Sequence, residues 1–263
     1  MLVRPTAGTG FQVLMLRRSE HSHFVPDAYV FPGGAVEAED MSERAFARAR
    51  GIDAHALAVQ FRAKPAPALA LDVPMPGERE AAGLLVAAVR ELFEEAGVFL
   101  ACDADGDTLP QRLLQSRDGR LGELRAALHE RQLPFTQILE DLEVYADARS
   151  LVLFSQWITP PVFPRRYNAH FFLALARADQ DASADAHETH DSLWIEPARA
   201  LQECRLGKLR MVYPTIKHLE RLAQFESAAQ LLEFARTKTI YSIMPQTTGE
   251  RTFSLPSNLE FAW

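Results

Sequence analysis

Arg90-Glu91-Leu92-Phe93-Glu94-Glu95-Ala96-Gly97-Val98 is the stretch from which the fold of this chain is read. On a helix, Glu91, Glu94 and Glu95 stand at i, i+3 and i+4, within an arc of roughly 100°. Val89, Leu92, Phe93 and Ala96 gather on the other side, so one face can be buried while three carboxylates project from the opposite one. Like charges at this spacing repel, each i,i+4 pair costing ~0.2–0.5 kcal/mol on an exposed helix. A hard divalent cation, which takes oxygen ligands, reverses that sign. A solvated acidic face closed by a C-cap glycine, Gly97, accounts for the same residues. The choice falls to the rest of the chain.

Working outward, the helix is expected over about Glu80 to Ala96, after a linker punctuated by Pro65, Pro67, Pro74 and Pro76 that cannot be helical throughout. Upstream, the Ala- and Arg-rich stretch from about Met41 to Arg62 has helical spacing, and Phe11 to Leu16 reads as a strand buried on both faces. Downstream, Asp103 to Gly106 is a turn, and short amphipathic helices are expected at 110–117, 121–131 and 135–141. Leu151 to Ile158, Ala169 to Ala176 and Ser192 to Glu196 read as strands, and Pro197 fits the first turn of a helix reaching Cys204. Two further helices, 215–224 and 227–236, precede a loose tail. Strands and helices interleave, which is an α/β pattern.

The formal charge of −7, from 28 basic and 35 acidic residues, argues against a nucleic-acid backbone as the main partner. A phosphorylated small molecule stays compatible with it, because a bound metal ion supplies positive charge locally. Cys102 and Cys204 are far apart and lack metal-type spacing, which fits free thiols in a reducing compartment. No run approaches the ~18 apolar residues of a membrane span. Met1 to Phe11 has no signal-like apolar stretch, and Phe261-Ala262-Trp263 is not the usual peroxisomal tripeptide. The expectation is a cytoplasmic protein without a membrane partner.

These residues resemble the Nudix hydrolase family, whose box reads G-x5-E-x7-R-E-U-x-E-E-x-G-U, with U a bulky aliphatic residue. The second half runs without gaps from Arg90 to Val98. The first half is Gly34-Ala35-Val36-Glu37-Ala38-Glu39-Asp40, with Asp40 where the family has Glu. Residues 41–89 then separate the halves, forty-nine positions where the family has seven. Such an insertion costs loop-closure entropy that grows only logarithmically, about 0.6 kcal/mol per doubling. Whether Asp40 reaches Arg90 across it is left open by the spacing. The interruption is similar to that of the peroxisomal-type coenzyme A diphosphatase branch. Arg18-Ser19 lies ahead of Val30-Phe31-Pro32-Gly33-Gly34 in the register of that branch's coenzyme A signature, although His23 and Asp27 replace its later Arg and Gly. Trp157-Ile158-Thr159-Pro160, Pro164-Arg165-Arg166-Tyr167, Phe171-Phe172 and Pro214-Thr215 also look like this branch.

The resemblance implies a Nudix α/β/α sandwich around a mixed sheet, with a helical insertion at about 41–80 inside the box. Residues 1–200 would form the Nudix domain and 201–263 a helical C-terminal extension packed on it. It implies that Glu91, Glu94 and Glu95, with the Gly34 carbonyl, hold Mg²⁺ or Mn²⁺, that Arg90 pins the helix to the glycine loop, and that Glu91 or Glu188 takes the proton of the attacking water. Glu188, six residues before Trp194, is also a candidate metal ligand; a surface acid among Asp185, His187 and Asp191 is the plainer reading. Arg18, Arg165 and Arg166, with Gly33 and Gly34, are candidate phosphate contacts, since a guanidinium fork matches phosphate oxygens. The expected substrate is coenzyme A or an acyl ester, with ADP-ribose or a nucleotide sugar as the alternative diphosphate. A non-catalytic nucleotide-binding module is the alternative of another class, and a homodimer is a family-level expectation.

Overall fold

A computed structural model of the chain describes residues 1–20, 25–52, 64–65, 76–110, 120–177, 180, 182, 189–249, 252–255, 259 and 263. Leu2–Pro5 (β1) and Phe11–Arg18 (β2) pair antiparallel, with Val3 opposite Val13. β2 buries Leu14 and Leu16 in one core layer and Val13 and Met15 in the other, the period-two alternation of a strand covered on both faces. Tyr29–Val30 (β3) pairs with the far end of β2, Tyr29 opposite Arg17.

The segment after the glycine loop departs from the helix expected over 41–62. A 3-10 turn at Glu39–Met41, the five-residue helix Glu43–Ala47 (α1) and the strand Ala49–Arg50 (β4) follow one another, and residues 53–63 lie outside the described ones. In order, Lys64–Pro65 (β5), Glu78–Ala96 (α2), Ala101–Cys102 (β6), Leu121–His129 (α3), Phe135–Asp141 (α4), Tyr145–Asp147 (β7), Val152–Ile158 (β8) and Asn168–Leu175 (β9) come next. Thr189–Ile195 (β10), Pro197–Arg205 (α5), Tyr213–Leu222 (α6), Ala228–Thr237 (α7), Tyr241–Ile243 (β11), Gln246–Thr247 (β12) and Phe253–Ser254 (β13) complete the chain. The helix expected at 110–117 falls almost wholly outside the described residues.

The main sheet has the order β10-β2-β1-β9-β8-β11-β5, with β3 attached to β2. β1 runs parallel to β9, and β11 parallel to β8 and β5, while the remaining pairs are antiparallel, so the sheet is mixed. One face is covered by α2, α3 and α4, through a cluster that joins Leu14 and Leu16 to Phe93, Phe99 and Phe135. Those three rings lie 4.6 to 6.5 Å apart, centroid to centroid, within the range of favourable aromatic pairs. The other face is covered by α5, α6 and α7, whose Leu201, Leu219, Leu222 and Leu231 meet Val13 and Met15. This is the expected α/β/α sandwich.

Why β4 is a strand is visible in its partner. It runs parallel to β7, Ala49 opposite Ala146, and β7 pairs in turn with β6. Arg50 lies 3.5 Å from the Tyr145 ring centroid, a cation–π contact. Tertiary pairing thus overrides the helix propensity of an Ala- and Arg-rich run, and ties the insertion to the segment that follows α2. The tail also differs from expectation. β11 extends the main sheet beside β8, and Ser242 Oγ donates to Gln156 Oε1 at 2.8 Å. Among the described residues no helix is long and apolar enough to cross a membrane.

Candidate active site

α2 ends on Gly97, whose φ of +66° is the left-handed cap glycine adopts without strain, and the Gly97 amide donates to the Phe93 carbonyl at 2.9 Å. The last two turns carry Glu91, Glu94 and Glu95. Arg90, buried between them and the glycine loop, is the hub. Its Nε and Nη2 donate to the two oxygens of Asp40 at 2.9 and 3.0 Å, a two-pronged pair. Nη2 also donates to the Ala35 carbonyl at 2.9 Å, and Nη1 to Glu91 Oε1 at 2.9 Å and Glu94 Oε2 at 3.1 Å. Asp40 therefore does reach Arg90 across the insertion, one methylene shorter than the glutamate of the box.

The reach is made by local packing. Gly83 of α2 leaves room for Met41, whose side chain occupies the space a methyl group would need. The 3-10 turn holding Asp40 can then press against the helix, and Asp40 is itself oriented by the Glu37 amide, which donates to it at 2.8 Å. Thr136 of α4 donates to Glu39 at 2.6 Å, and Arg44 of α1 donates to Gln137 and Glu140, fixing the turn from outside. The glycine loop closes the other side. Gly33 has a φ of +148°, and its amide donates to Glu95 Oε2 at 2.7 Å. At Gly34 any side chain would collide with the Glu91 carboxylate.

Asp40, Glu91 and Glu94 thus surround a single guanidinium, with Glu95 beside them on the Gly33 amide, all within a largely desolvated pocket. Burial is the main cause that pushes the Glu91 carboxyl up to about 7; Arg90 pulls it down and Glu94 pushes it up again. For Arg90, burial opposes the charge, but the ion pairs with Asp40 and Glu91 outweigh it and the pKa is raised. Among the described residues no three acidic, imidazole or thiol groups converge on one point as they stand. The geometry gives the reason: Glu91 and Glu94 are turned onto Arg90, and Glu95 onto the Gly33 amide.

The loop also rests on the opposite core. Phe31 packs edge-on against Phe171 and His218, with ring centroids 6.4 and 6.0 Å away. His218 of α6 is completely buried, with Nδ1 2.7 Å from the Pro214 carbonyl and Nε2 2.6 Å from Ser155 Oγ. Nδ1 therefore carries the proton and Nε2 accepts from the serine hydroxyl. Burial lowers its pKa to about 3. The unfolded imidazole takes a proton below about 6.5 whereas the folded one does not, so stability is lost as pH falls. Acidification from about pH 7.5 to about pH 5 is expected to cost about 2 kcal/mol through this residue alone. Urea denaturation of His218→Gln should show a pH dependence shallower by that amount; a slope equal to that of the parent protein contradicts the assignment.

The residues anticipated from sequence separate into two groups. Arg90, Glu91, Glu94, Glu95, Gly33 and Gly34 come together in one cluster with Asp40. Arg18, at the end of β2, pairs with Thr189, the first residue of β10. Because β2 runs antiparallel to β1 and β1 parallel to β9, the Arg18 end of β2 lies at the same end of the sheet as the first residues of β9. The β8–β9 hairpin bearing Arg165 and Arg166 therefore opens at the same end of the sheet as Arg18, and Arg166 Nε donates to the Thr159 carbonyl at 2.9 Å. Glu188 and His187 lie outside the described residues. Three residues near the site carried no signal in the sequence: His218, Arg125 and His129. The last two sit on α3, read only as an amphipathic helix.

A family model of the NUDT19 Nudix domain matches residues 2–222. The chain is 30% identical over 259 residues to the Gallus gallus protein named acyl-coenzyme A diphosphatase NUDT19, covering 90% of this chain and 67% of that protein. It is 28% identical over 249 residues to the Homo sapiens protein of the same name, covering 88% and 65%. The chain spans about two thirds of the length of these relatives. A crystal structure of a Nudix hydrolase from Alicyclobacillus acidocaldarius superposes with a TM-score of 0.58 at 24% identity, covering 89% of this chain and 93% of that one; at that identity the likeness bears on the fold alone. The sandwich, the split acidic box and these matches define a Nudix hydrolase. Within that class, the chain belongs to the family of the NUDT19 Nudix domain.

Nudix hydrolases generally use divalent metals, and the residues present fit such an ion. Their donors are all oxygens, the preference of Mg²⁺ and Mn²⁺. Three carboxylates share one guanidinium, a fourth, Glu95, lies beside them, and glycine stands where any side chain would displace Glu91.

Proposed function

We propose that this site hydrolyses the diphosphate linkage of coenzyme A or an acyl-coenzyme A, giving 3′,5′-ADP and phosphopantetheine or its acyl ester. The observation that carries the reading is the assembly of both halves of the box around Arg90, with Asp40 completing it. The names of the relatives support the coenzyme A part.

Glu91, Glu94 and Glu95, with the Gly34 carbonyl, would hold Mg²⁺ or Mn²⁺. A bound ion of this kind neutralises phosphate oxygens and makes water a better nucleophile. The chain's own groups do the rest. Arg90 keeps Glu91 and Glu94 apart from one another's charge and holds α2 to the loop through the Ala35 carbonyl. Glu91 would take the proton of the attacking water, and Glu188 is the alternative acceptor. Arg18, Arg165 and Arg166, at one end of the sheet, supply the positive charge for the substrate's phosphates.

A panel of diphosphates assayed with Mg²⁺ tests the substrate. Coenzyme A and its acyl esters should show the highest kcat/KM. The half-kept signature at His23 and Asp27 makes ADP-ribose the relevant competitor. Rapid cleavage of ADP-ribose with coenzyme A untouched overturns the substrate assignment.

A further inference from the structure

α3 lies outside the split box, in the segment between the acidic helix and β8. Leu121, Leu124 and Leu128 are its buried stripe. Arg125 and His129 are one turn apart on another face, where residues four apart are neighbours. Both address the same residue, Glu94.

Arg125 Nε donates to the Glu94 carbonyl at 2.8 Å. That carbonyl belongs to the last turn of α2, where the helix supplies no partner four residues on: the Val98 amide donates to Leu92 instead. His129 Nδ1 stands 3.7 Å from Glu94 Oε1, while Glu94 Oε2 accepts from Arg90. Glu94 is therefore held by hydrogen bonds at its main-chain carbonyl and at Oε2, and the His129 ring flanks Oε1 beyond hydrogen-bond distance. His129 is 16% exposed and the Glu94 side chain 18%, so this contact lies at the rim of the site. Arg125 also brings a second positive charge to a helix end that carries three carboxylates.

We propose that Arg125 and His129 are positioning residues of the active site, fixing the orientation of Glu94, and that α3 is in effect its outer wall. The inference rests on the metal-dependent reading above. Partners behind a metal-binding carboxylate set its orientation and basicity, and their loss costs about 10–100-fold in metal affinity or activity.

The test uses the full chain, with Mn²⁺ as the probe. Mn²⁺ affinity is measured by electron paramagnetic resonance without substrate, beside kcat and KM for the best diphosphate and the thermal midpoint. His129→Leu should weaken Mn²⁺ binding by about tenfold or more and lower kcat, with KM and the midpoint little changed. His129→Gln, which keeps a polar side chain of similar reach beside Oε1, should recover a large part of the loss. Arg125→Met should act in the same direction and Arg125→Lys should restore part of it. If Arg125→Met fails to fold, the two His129 variants decide. Mn²⁺ affinity and kcat within about twofold of the parent in His129→Leu overturn the proposal. A parent protein that binds no Mn²⁺ overturns the metal reading itself, and this assignment with it.

Discussion

Glu94→Gln and Glu95→Gln are each expected to lower kcat in excess Mg²⁺ by about three orders of magnitude. Glutamine preserves the shape of each side chain and much of its hydrogen bonding. The Glu95 carboxylate accepts from the Gly33 amide at 2.7 Å, and a carboxamide oxygen can do the same, so the loop should stay in place. What disappears is one negative charge from the acidic cluster at the end of α2. The variants should keep the circular dichroism spectrum and thermal midpoint of the parent. Full activity retained in both would remove the acidic helix from the mechanism.

Asp40→Ala should instead act mainly on stability. Asp40 is 2% exposed and Arg90 5%. Their two-pronged pair is the only link across the insertion that places a charge opposite a charge inside the core, among the described residues. Deleting one member leaves a buried guanidinium with less compensation than its burial demands, a loss of about 3–5 kcal/mol. Urea denaturation at neutral pH measures this directly. Glu91 and Glu94 would remain as partners of Arg90, and a loss below about 1 kcal/mol would mean that they suffice.

The contrast between the acidic helix and Asp40 marks how far the sequence could be read. The acidic helix was legible because its periodicity, its carboxylate spacing and its cap glycine all lie within about twenty consecutive residues, and β2 because its alternation runs unbroken. The reach of Asp40 was not, since forty-nine residues separate it from Arg90 and tertiary packing, Met41 against Gly83 first, brings it close. β4 was hidden by a composition that favours helix, and it exists because β7 pairs with it. β11, three residues long, is too short to show alternation and is defined by its place beside β8. Arg125 and His129 belong to no motif; their relation to Glu94 arises from how α3 lies against the acidic helix. The chemistry was written in local order, whereas its supports were written in tertiary contact.

Product identification from coenzyme A in the presence of Mg²⁺ tests the central claim most directly. Hydrolysis at the diphosphate should yield 3′,5′-ADP and phosphopantetheine in equal amounts, with no turnover when the metal is chelated. Divalent-metal binding without turnover of coenzyme A or any other diphosphate would contradict it, and would make the chain a binding module that keeps the residues of a catalyst.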